Sequence, residues 1–406
     1  MNATRSATLT VVARGFPPQV SGSPILLANL LADYPGTVNA VVGYSQYSQI
    51  DPAFQPPCPV YPLWLPRTLP LCSDRLGRRL PMTFVHLLQH AIHRALRVMQ
   101  TDVVMASYPH ASYVVAAFRV ARRLRLPFYV HLHDLWEENT PSGSRAARFA
   151  AAWEPIVLRQ ATRVLCMTEA MQKHYEKKYG LQTDLLPHSI REQDYAAAPM
   201  TLCPPRLARP TVLFVGGVSE AMNQDALRTL AAASELLPPE YALCMCTSFD
   251  RQQLQQCGIQ SSRLQAQYVS RQEVQRLQRE AHVLVAPLSH KDCSPHEVQT
   301  VFSTKLLEYL VAGRPILVFA PPGSYHAEAA QQRGWAYVVS EDTPEALAAG
   351  IMRLSTDETL AAAVVRDAHR EAEARRARHH ASRLHEWVLA DLQQAQAPGV
   401  RRGATR

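Results

Sequence analysis

The chain has 406 residues, 47% of them apolar, and a formal net charge of +8. Its length exceeds one typical hydrophobic core, so we expect two domains, and its apolar fraction excludes overall disorder. No apolar run approaches the roughly eighteen residues of a membrane-spanning helix, and the N-terminus lacks a signal-peptide pattern, so we expect a cytoplasmic protein without transmembrane helices.

Short apolar runs alternate with helical patterns along the chain, which is typical of βαβ units and parallel sheets. The predicted strands are Ala7–Ala13, Val38–Val42, Val103–Ser107, Phe128–His131, Val164–Met167, Asp184–Leu186, Val212–Val215, Tyr241–Cys246, Leu264–Val269, Val283–Ala286, Ile316–Phe319 and Ala336–Val339. The main predicted helices are Leu26–Leu31, Phe84–Met99, Tyr113–Arg125 and Asp225–Leu237. We therefore predict an α/β fold of two doubly wound, Rossmann-like domains.

One stretch, residues 197–210, is rich in proline and has no periodicity, so we predict an interdomain linker there. The predicted organisation is an N-terminal acceptor-side domain over 1–196, the linker, a C-terminal nucleotide-sugar-binding domain over 211–356, a helical region over 357–396 and a disordered tail over 397–406. Two doubly wound domains of this kind are expected to face a ligand cleft at the carboxyl ends of their strands.

Positive charge is concentrated in the first half. Residues 1–196 carry 20 Lys and Arg against 13 Asp and Glu, whereas residues 197–406 carry 22 against 21. Within the first half, Arg75–Gln100 combines an apolar helical stripe with basic residues and no acid. Two interpretations stay open: a helix packed on a sheet with solvated arginines, or a basic amphipathic helix on an anionic membrane. The candidate contacts to a membrane or an anionic acceptor are Arg75, Arg78, Arg79, Arg94 and Arg97.

Cysteine and acid spacing give no sign of a metal site. None of the eight cysteines forms a C-x-x-C pair, and most lie in apolar runs, where reduced thiols are the common case. The chain also lacks a D-x-D pair, which favours metal-independent chemistry and predicts no metal ligands and no cofactor. Because the basic segments lack interleaved aromatic residues, we expect no nucleic-acid partner.

Two segments of the first half follow predicted strands. The turn ARGFPPQVSGSP contains Gly22, which lets the backbone approach a ligand closely, although a merely tight turn explains it equally well. In PFYVHLHDLWEE, His131 and His133 alternate onto one side of the strand end. A histidine there can donate to a sugar hydroxyl, or it can be a satisfied structural residue.

Two segments of the second half also lie at predicted strand ends. Gly216 and Gly217 separate a strand from a helix, where backbone amides can meet phosphate or where the chain simply packs tightly. The long polar loop Leu288–Thr300 precedes another helix, and loops in this position commonly bind ligands. Its candidate contacts to a donor sugar are Lys291, His296, Glu297 and Thr300.

The segment VFSTKLLEYLVAGRPILVF predicts a short helix with Ser303 as its N-cap. The free amides of the first turn and Lys305 could hold a phosphate. Thr304 and Glu308 are four residues apart and share a face, so Glu308 could accept from two sugar hydroxyls. The alternative is a capped helix packed on a sheet, with Glu308 in solvent.

Taken in order, these segments resemble the GT-B-fold nucleotide-sugar glycosyltransferases of the group 1, or family 4, type. The likeness covers nearly the whole chain. FPPQVSG, DVVMASYPHASYVVA, PFYVHLHDLWEE and RVLCMTEAMQKHYEKKYG are similar to the N-terminal domain of that family. FVGGVSEAMNQDAL, YVSRQEVQRLQREAHVLVAPL and FSTKLLEYLVAGRPIL are similar to its donor domain.

The resemblance implies transfer of a sugar from a nucleotide donor with retention at the anomeric carbon. It implies that Glu308 binds the donor ribose, that His133 reaches the transferred sugar and that Gly22 lies near the diphosphate. Lys305 matches a basic residue beside the phosphates in one branch. Family members are commonly metal-independent and often sit on the inner face of a membrane.

The chain departs from the family pattern twice. Thr300 stands where the family has its first carboxylate, eight residues before Glu308. The basic residue that usually follows the glycine turn is missing, because Glu220, Ala221 and Met222 occupy that loop. The phosphate charge would then be met mainly by backbone amides and Lys305.

We expect a metal-independent hexosyltransferase that uses a nucleotide-diphosphate sugar and a glycan, lipid-linked or other acceptor. It would act in the cytoplasm or peripherally on the cytoplasmic membrane face, in polysaccharide or glycoconjugate assembly. Two alternatives stay open: a nucleotide-sugar epimerase on the same fold, and a catalytically inactive protein that binds a nucleotide or a glycan.

Overall fold

The computed structural model describes residues 7–43, 50–63, 80–202, 209–291 and 295–396. The chain divides into two compact units. The first unit comprises Met1–Arg191 with Ala377–Arg406, and the second comprises Glu192–Arg376.

The first unit contains a parallel sheet of seven strands. The strands are β1 (Thr8–Ala13), β2 (Thr37–Val42), β3 (Val60–Pro62), β4 (Val103–Tyr108), β5 (Phe128–Leu132), β6 (Arg163–Cys166) and β7 (Asp184–Leu185). Their order in the sheet is β3-β2-β1-β4-β5-β6-β7. Strand β1 pairs in parallel with β2 on one side and β4 on the other, so the order reverses there. Open α/β sheets bind ligands at the carboxyl ends of strands at such a reversal.

Helices cover the first sheet. They are α1 (Gly22–Ala32), α2 (Pro81–Val98), α3 (Ala111–Leu124), α4 (Arg145–Gln160), α5 (Glu169–Tyr179) and, from the end of the chain, α15 (Ala377–Gln396). Local sequence explains their limits: in α5, Thr168 accepts from the amide of Met171 at the start, and Gly180 ends the helix in a left-handed conformation at φ 65°.

The C-terminal helix completes the core of the first unit. Leu384 and Val388 of α15 are fully buried in the cluster that contains Leu9 and Val11 of β1 and Leu27 of α1. The predicted C-terminal helical region is thus divided between the units, because the preceding helix belongs to the second.

The second unit contains a parallel sheet of six strands in the order β10-β9-β8-β11-β12-β13. The strands are β8 (Thr211–Val215), β9 (Ala242–Cys246), β10 (Leu264–Gln267), β11 (Val283–Pro287), β12 (Ile316–Phe319) and β13 (Tyr337–Val339). The helices are α6 (Glu192–Ala196), α7 (Gln224–Leu236), α8 (Arg251–Gln256), α9 (Arg271–Glu280), α10 (Pro295–Thr300), α11 (Lys305–Leu310), α12 (Tyr325–Arg333), α13 (Pro344–Thr356) and α14 (Glu358–Ala374). Here the order reverses between β8 and β11.

The predicted α/β class with two Rossmann-like sheets is confirmed. The sequence missed β3, which has only three half-buried residues and lies at the sheet edge. The sequence also predicted a loop over the whole of Leu288–Thr300, whereas the last six residues of this segment form α10. The predicted tail 397–406 lies outside the described residues.

Candidate functional site

The turn after β8 brings a glycine against a lysine. Gly216 has φ +139°, a conformation that side chains rarely adopt, and a Cβ built on it would lie 3.2 Å from Nζ of Lys305. The Lys305 ammonium also lies 4.4 Å from the centroid of the Phe214 ring. Gly216 of the glycine turn and Lys305 at the start of α11 therefore lie together within the second unit.

Lys305 is only partly exposed and is surrounded by protein. Burial lowers the pKa of its ammonium to about 8, because desolvation disfavours the charged form. The Phe214 ring face offsets part of that cost. A lysine in this state is a ready partner for an anionic ligand, which would restore the lost stabilisation of its charge.

Tyr309 ties the same helix to two strands. Its hydroxyl accepts from the amide of Val215 at 3.0 Å and donates to the carbonyl of Val285 at 3.3 Å. Tyr309 is fully buried, and burial raises its pKa well above the usual value. The position of α11 relative to the carboxyl ends of β8 and β11 is therefore determined by buried hydrogen bonds.

Glu308 lies beside helix α9 instead of in open solvent. Gln278 donates to one carboxylate oxygen at 3.0 Å, and Nη2 of Arg271 lies 3.7 Å from the other. The side chain is 26% exposed. The carboxylate is thus oriented by two neighbours and retains lone pairs for a ligand.

The predicted N-cap at Ser303 is wrong. Helix α11 begins at Lys305, and its N-cap is Thr304, which makes no side-chain capping bond. The amide of Ser303 donates instead to Nε2 of the buried His326, at 2.9 Å. Sequence reasoning missed His326, because it belongs to a later helix, α12, and nothing local marks it as a partner of Ser303.

The loop before α10 is organised by Asp225 at the start of α7. One oxygen of Asp225 accepts from the amides of His290 at 2.9 Å and Lys291 at 3.1 Å. Although burial opposes it, hydrogen bonds from Ser289 and these amides lower the pKa of Asp225. The exposed ammonium of Lys291 pairs with Asp342 at 3.1 Å.

The remaining loop residues lie in α10. Thr300 is buried and its hydroxyl donates to the carbonyl of His296, so the residue at the position of the family carboxylate has a partner within its own helix. Glu297 accepts from the amide of Val301 through its backbone carbonyl, at 2.9 Å.

In the first unit, His131 lies in β5, His133 follows that strand, and the two side chains are in contact. His133 Nδ1 is 2.9 Å from the hydroxyl of Ser23, and its Nε2 is 3.2 Å from Nδ1 of His131. Gly22 begins α1 and is exposed beside Ser23. Ser23, next to Gly22 at the start of α1, therefore connects this loop to His133.

A cluster of charges supports the chain after β5. Lys178 of α5 donates to Glu138 and to Glu154, both at 2.7 Å, and pairs with Glu137 at 2.9 Å. Glu154 is fully buried and also accepts from Tyr179. The sequence did not reveal Lys178, because forty residues separate it from Glu138.

The candidate basic contacts are only partly described. Arg94 and Arg97 lie on the exposed face of α2, where Leu87 and Val98 are also exposed. Arg75, Arg78 and Arg79 lie outside the described residues. None of the helices in the described part of the chain has both the length and the apolar character needed to span a bilayer. Over the same residues, no group of three or more His, Cys, Asp or Glu side chains is placed to hold a metal ion.

Two Rossmann-like parallel sheets, each in its own unit, have the architecture of the GT-B class of glycosyltransferase. A family model described as a glycosyl transferase 4-like domain matches residues 12–186, and one described as glycosyl transferases group 1 matches residues 209–357. The chain belongs to the group 1 glycosyltransferase family. A search of curated protein sequences gave no match.

Solved structures share this fold. HepE from Anabaena, in complex with UDP and glucose, matches with a TM-score of 0.66 and 15% identity over 95% of this chain and all of that one. Sucrose-phosphate synthase from Thermosynechococcus elongatus matches with a TM-score of 0.66 and 17% identity over 96% of this chain and all of that one. The lipopolysaccharide outer core galactosyltransferase WaaB matches with a TM-score of 0.61 and 11% identity over 95% and 99% of the two chains.

Proposed function

We propose that this protein transfers a hexose from a nucleotide-diphosphate sugar to a glycan, lipid-linked or other acceptor, with retention and without a metal ion. The observation that carries the proposal is the position of the Lys305 ammonium against Gly216, on the same short helix as Glu308. A cation can hold a diphosphate, and a carboxylate on the same helix can accept from the hydroxyls of the attached ribose. HepE is described in complex with UDP and glucose, which makes UDP-sugars the first donors to test.

The second unit holds the donor in this proposal. The diphosphate is contacted by Lys305, by the backbone of Gly216, Gly217 and Thr304, and by the hydroxyl of Ser303, because the Ser303 amide already donates to His326. The charge of Lys305 stabilises the leaving group as negative charge develops on it. Glu308 accepts from the ribose hydroxyls.

Further contacts complete the proposed donor site. The proposed contacts to the transferred sugar are Lys291, His296, Glu297 and Thr300. To bind the ligand, Lys291 leaves its exposed ion pair with Asp342. In the first unit, we propose Gly22 as a contact to the donor diphosphate and His133 as a contact to the transferred sugar, directly or through Ser23.

We also propose that the protein works in the cytoplasm and binds the cytoplasmic face of a membrane peripherally, in glycan or glycolipid assembly. The exposed face of α2 supports this, since Arg94 and Arg97 flank exposed apolar side chains there. Cations of this kind are attracted to anionic headgroups.

Glu308→Gln tests the donor site, because it keeps the shape of the side chain and removes its charge. We expect at least tenfold weaker binding of the nucleoside diphosphate and a matching loss of transfer, since hydrogen bonds to charged groups are worth about 1.5–3 kcal/mol. Binding is measured by calorimetry with the diphosphate that gives the largest thermal shift in a panel.

The matched control is Glu273→Gln on α9, whose carboxylate pairs with the exposed Arg276 on the same helix. It should leave binding and transfer unchanged. If Glu308→Gln binds and turns over like the parent, the ribose assignment is wrong. Donor incubated without acceptor separates the alternatives: an isomerised sugar would identify an epimerase, and tight binding without any conversion would identify an inactive binding protein.

A further inference from the structure

A chain of hydrogen bonds runs from the interior of the first unit to Ser23 at the start of α1. His131 Nε2 lies 3.4 Å from the carbonyl oxygen of Leu186, His131 Nδ1 lies 3.2 Å from His133 Nε2, and His133 Nδ1 lies 2.9 Å from the hydroxyl of Ser23. Leu186, His131 and His133 are buried, and Ser23 is half-exposed. The two rings meet edge to face with centroids 4.5 Å apart.

Both histidines are neutral at physiological pH. Burial lowers the pKa of His131 to about 4. Burial, together with the neighbouring His131, His188 and His110, lowers the pKa of His133 well below its usual value. Each ring therefore carries one proton, on one of its two nitrogens.

The carbonyl of Leu186 then sets the direction of the whole chain. A carbonyl only accepts, so His131 must donate to it from Nε2, and its Nδ1 is left as an acceptor. His133 must therefore donate from Nε2 to His131, which leaves its own Nδ1 as an acceptor. Ser23 must in turn donate its only hydroxyl hydrogen to His133.

We propose that Ser23 is a substrate-contacting residue whose oxygen can only accept, so that it selects a ligand hydroxyl over an ether, carboxylate or phosphate oxygen. Its hydrogen is committed to His133, which leaves only its lone pairs for a ligand. The neighbouring Gly22 and Ser21 are exposed, so a sugar hydroxyl can reach the Ser23 oxygen. His131 and His133 act through Ser23 as positioning residues. This inference rests on the proposed transferase function.

The hydroxyl belongs either to the transferred sugar or to the acceptor, and one pair of assays separates the two. Slow donor hydrolysis needs only the donor, whereas transfer needs both substrates. If Ser23 contacts the donor sugar, Ser23→Ala lowers kcat/KM for both reactions. If Ser23 contacts the acceptor, only transfer is lowered.

The enzymatic test uses the full-length chain with the nucleotide sugar that supports transfer in a donor panel. Ser23→Ala should lower kcat/KM about tenfold, the usual effect of losing one neutral hydrogen bond at a site. Ser23→Thr retains the hydroxyl and should recover most of the activity. Ser21→Ala is the matched control, because Ser21 precedes α1 and its side chain makes no capping bond. Equal activities of Ser23→Ala and Ser21→Ala would overturn the proposal.

A second measurement does not depend on activity. Ring-nitrogen chemical shifts of full-length protein labelled with ¹⁵N-histidine report the tautomers, with the signals assigned by His131→Gln and His133→Gln. Both rings should be in the Nε2–H form at neutral pH. An Nδ1–H or doubly protonated ring at either position would overturn the inferred direction even in an active transferase. Absence of transfer with every donor would instead remove the proposed function, and the substrate role of Ser23 with it.

Discussion

Lys305 carries the clearest prediction at the scale of a single residue. Its pKa of about 8 is lowered by burial, so the ammonium is charged below that pH and loses its proton above it. A nucleoside diphosphate should therefore bind about tenfold more weakly at pH 9 than at pH 7, because the charged fraction of Lys305 falls by roughly that factor. The phosphate groups do not contribute to this pH dependence, since they lose their last proton near pH 6.

Calorimetric titration across this pH range checks the prediction. Lys305→Arg keeps a positive charge throughout and should bind without the pH dependence, while Lys305→Met should bind weakly at every pH. An unchanged pH dependence in Lys305→Arg would show that another group titrates.

Individual residues also show where sequence reasoning reached its limit. The spacing of Lys305 and Glu308 on one helix was predictable, because helical periodicity is local. The contact that Ser303 makes was not predictable, because its amide donates to His326, twenty-three residues later, and the helix begins one residue beyond the expected cap. A pattern of polar and apolar residues does not encode which buried acceptor an amide meets.

At the scale of an element, the stability of the segment between β5 and α4 depends on Lys178. This side chain is 22% exposed and lies among three carboxylates, one of which, Glu154, is fully buried. Lys178→Met leaves the Glu154 carboxylate without its cation, and breaking a buried ion pair in this way costs about 3 kcal/mol. We expect a loss of that size in the free energy of unfolding, measured with urea.

Lys177→Met is the control, since Lys177 is exposed in the same last turn of α5. It should change stability by less than about 0.5 kcal/mol. Equal stabilities of the two variants would show that the carboxylates do not need Lys178.

The pH dependence of the same cluster has a definite sign. Burial alone would raise the pKa of Glu138, but hydrogen bonds from His174 and Lys178 outweigh it and lower the pKa to about 2. A carboxyl with a lowered pKa stabilises the fold at pH values above its usual pKa of 4.5. This stabilisation is lost as the pH falls toward about 2. Lys178→Met should therefore unfold at a higher pH than the parent during acid titration.

At the scale of the whole molecule, we expect the excess positive charge of the first half to attract the protein to an anionic surface. The protein should co-sediment with vesicles of phosphatidylserine and phosphatidylcholine at low salt and be released by salt. Replacing Arg94 and Arg97 together with Gln should weaken binding roughly tenfold or more, because each surface cation contributes about 1 kcal/mol.

Arg366→Gln with Arg370→Gln is the matched control, since these two arginines are exposed on α14 in the second unit. That double variant should bind vesicles like the parent. No binding of the parent protein at low salt would exclude the membrane proposal, and an anionic acceptor would then remain as the partner for this charge.

The sequence by itself determined the α/β class, most strands and the residues that lie at strand ends, because buried parallel strands and amphipathic helices leave local periodic patterns. The tertiary structure alone decided the partner of each polar side chain at those ends. Ser23 and His133 are 110 residues apart, and His131 and Leu186 are 55 apart. The direction of their hydrogen bonds depends on a carbonyl that only the folded sheet brings to the histidine, so no local pattern could contain it.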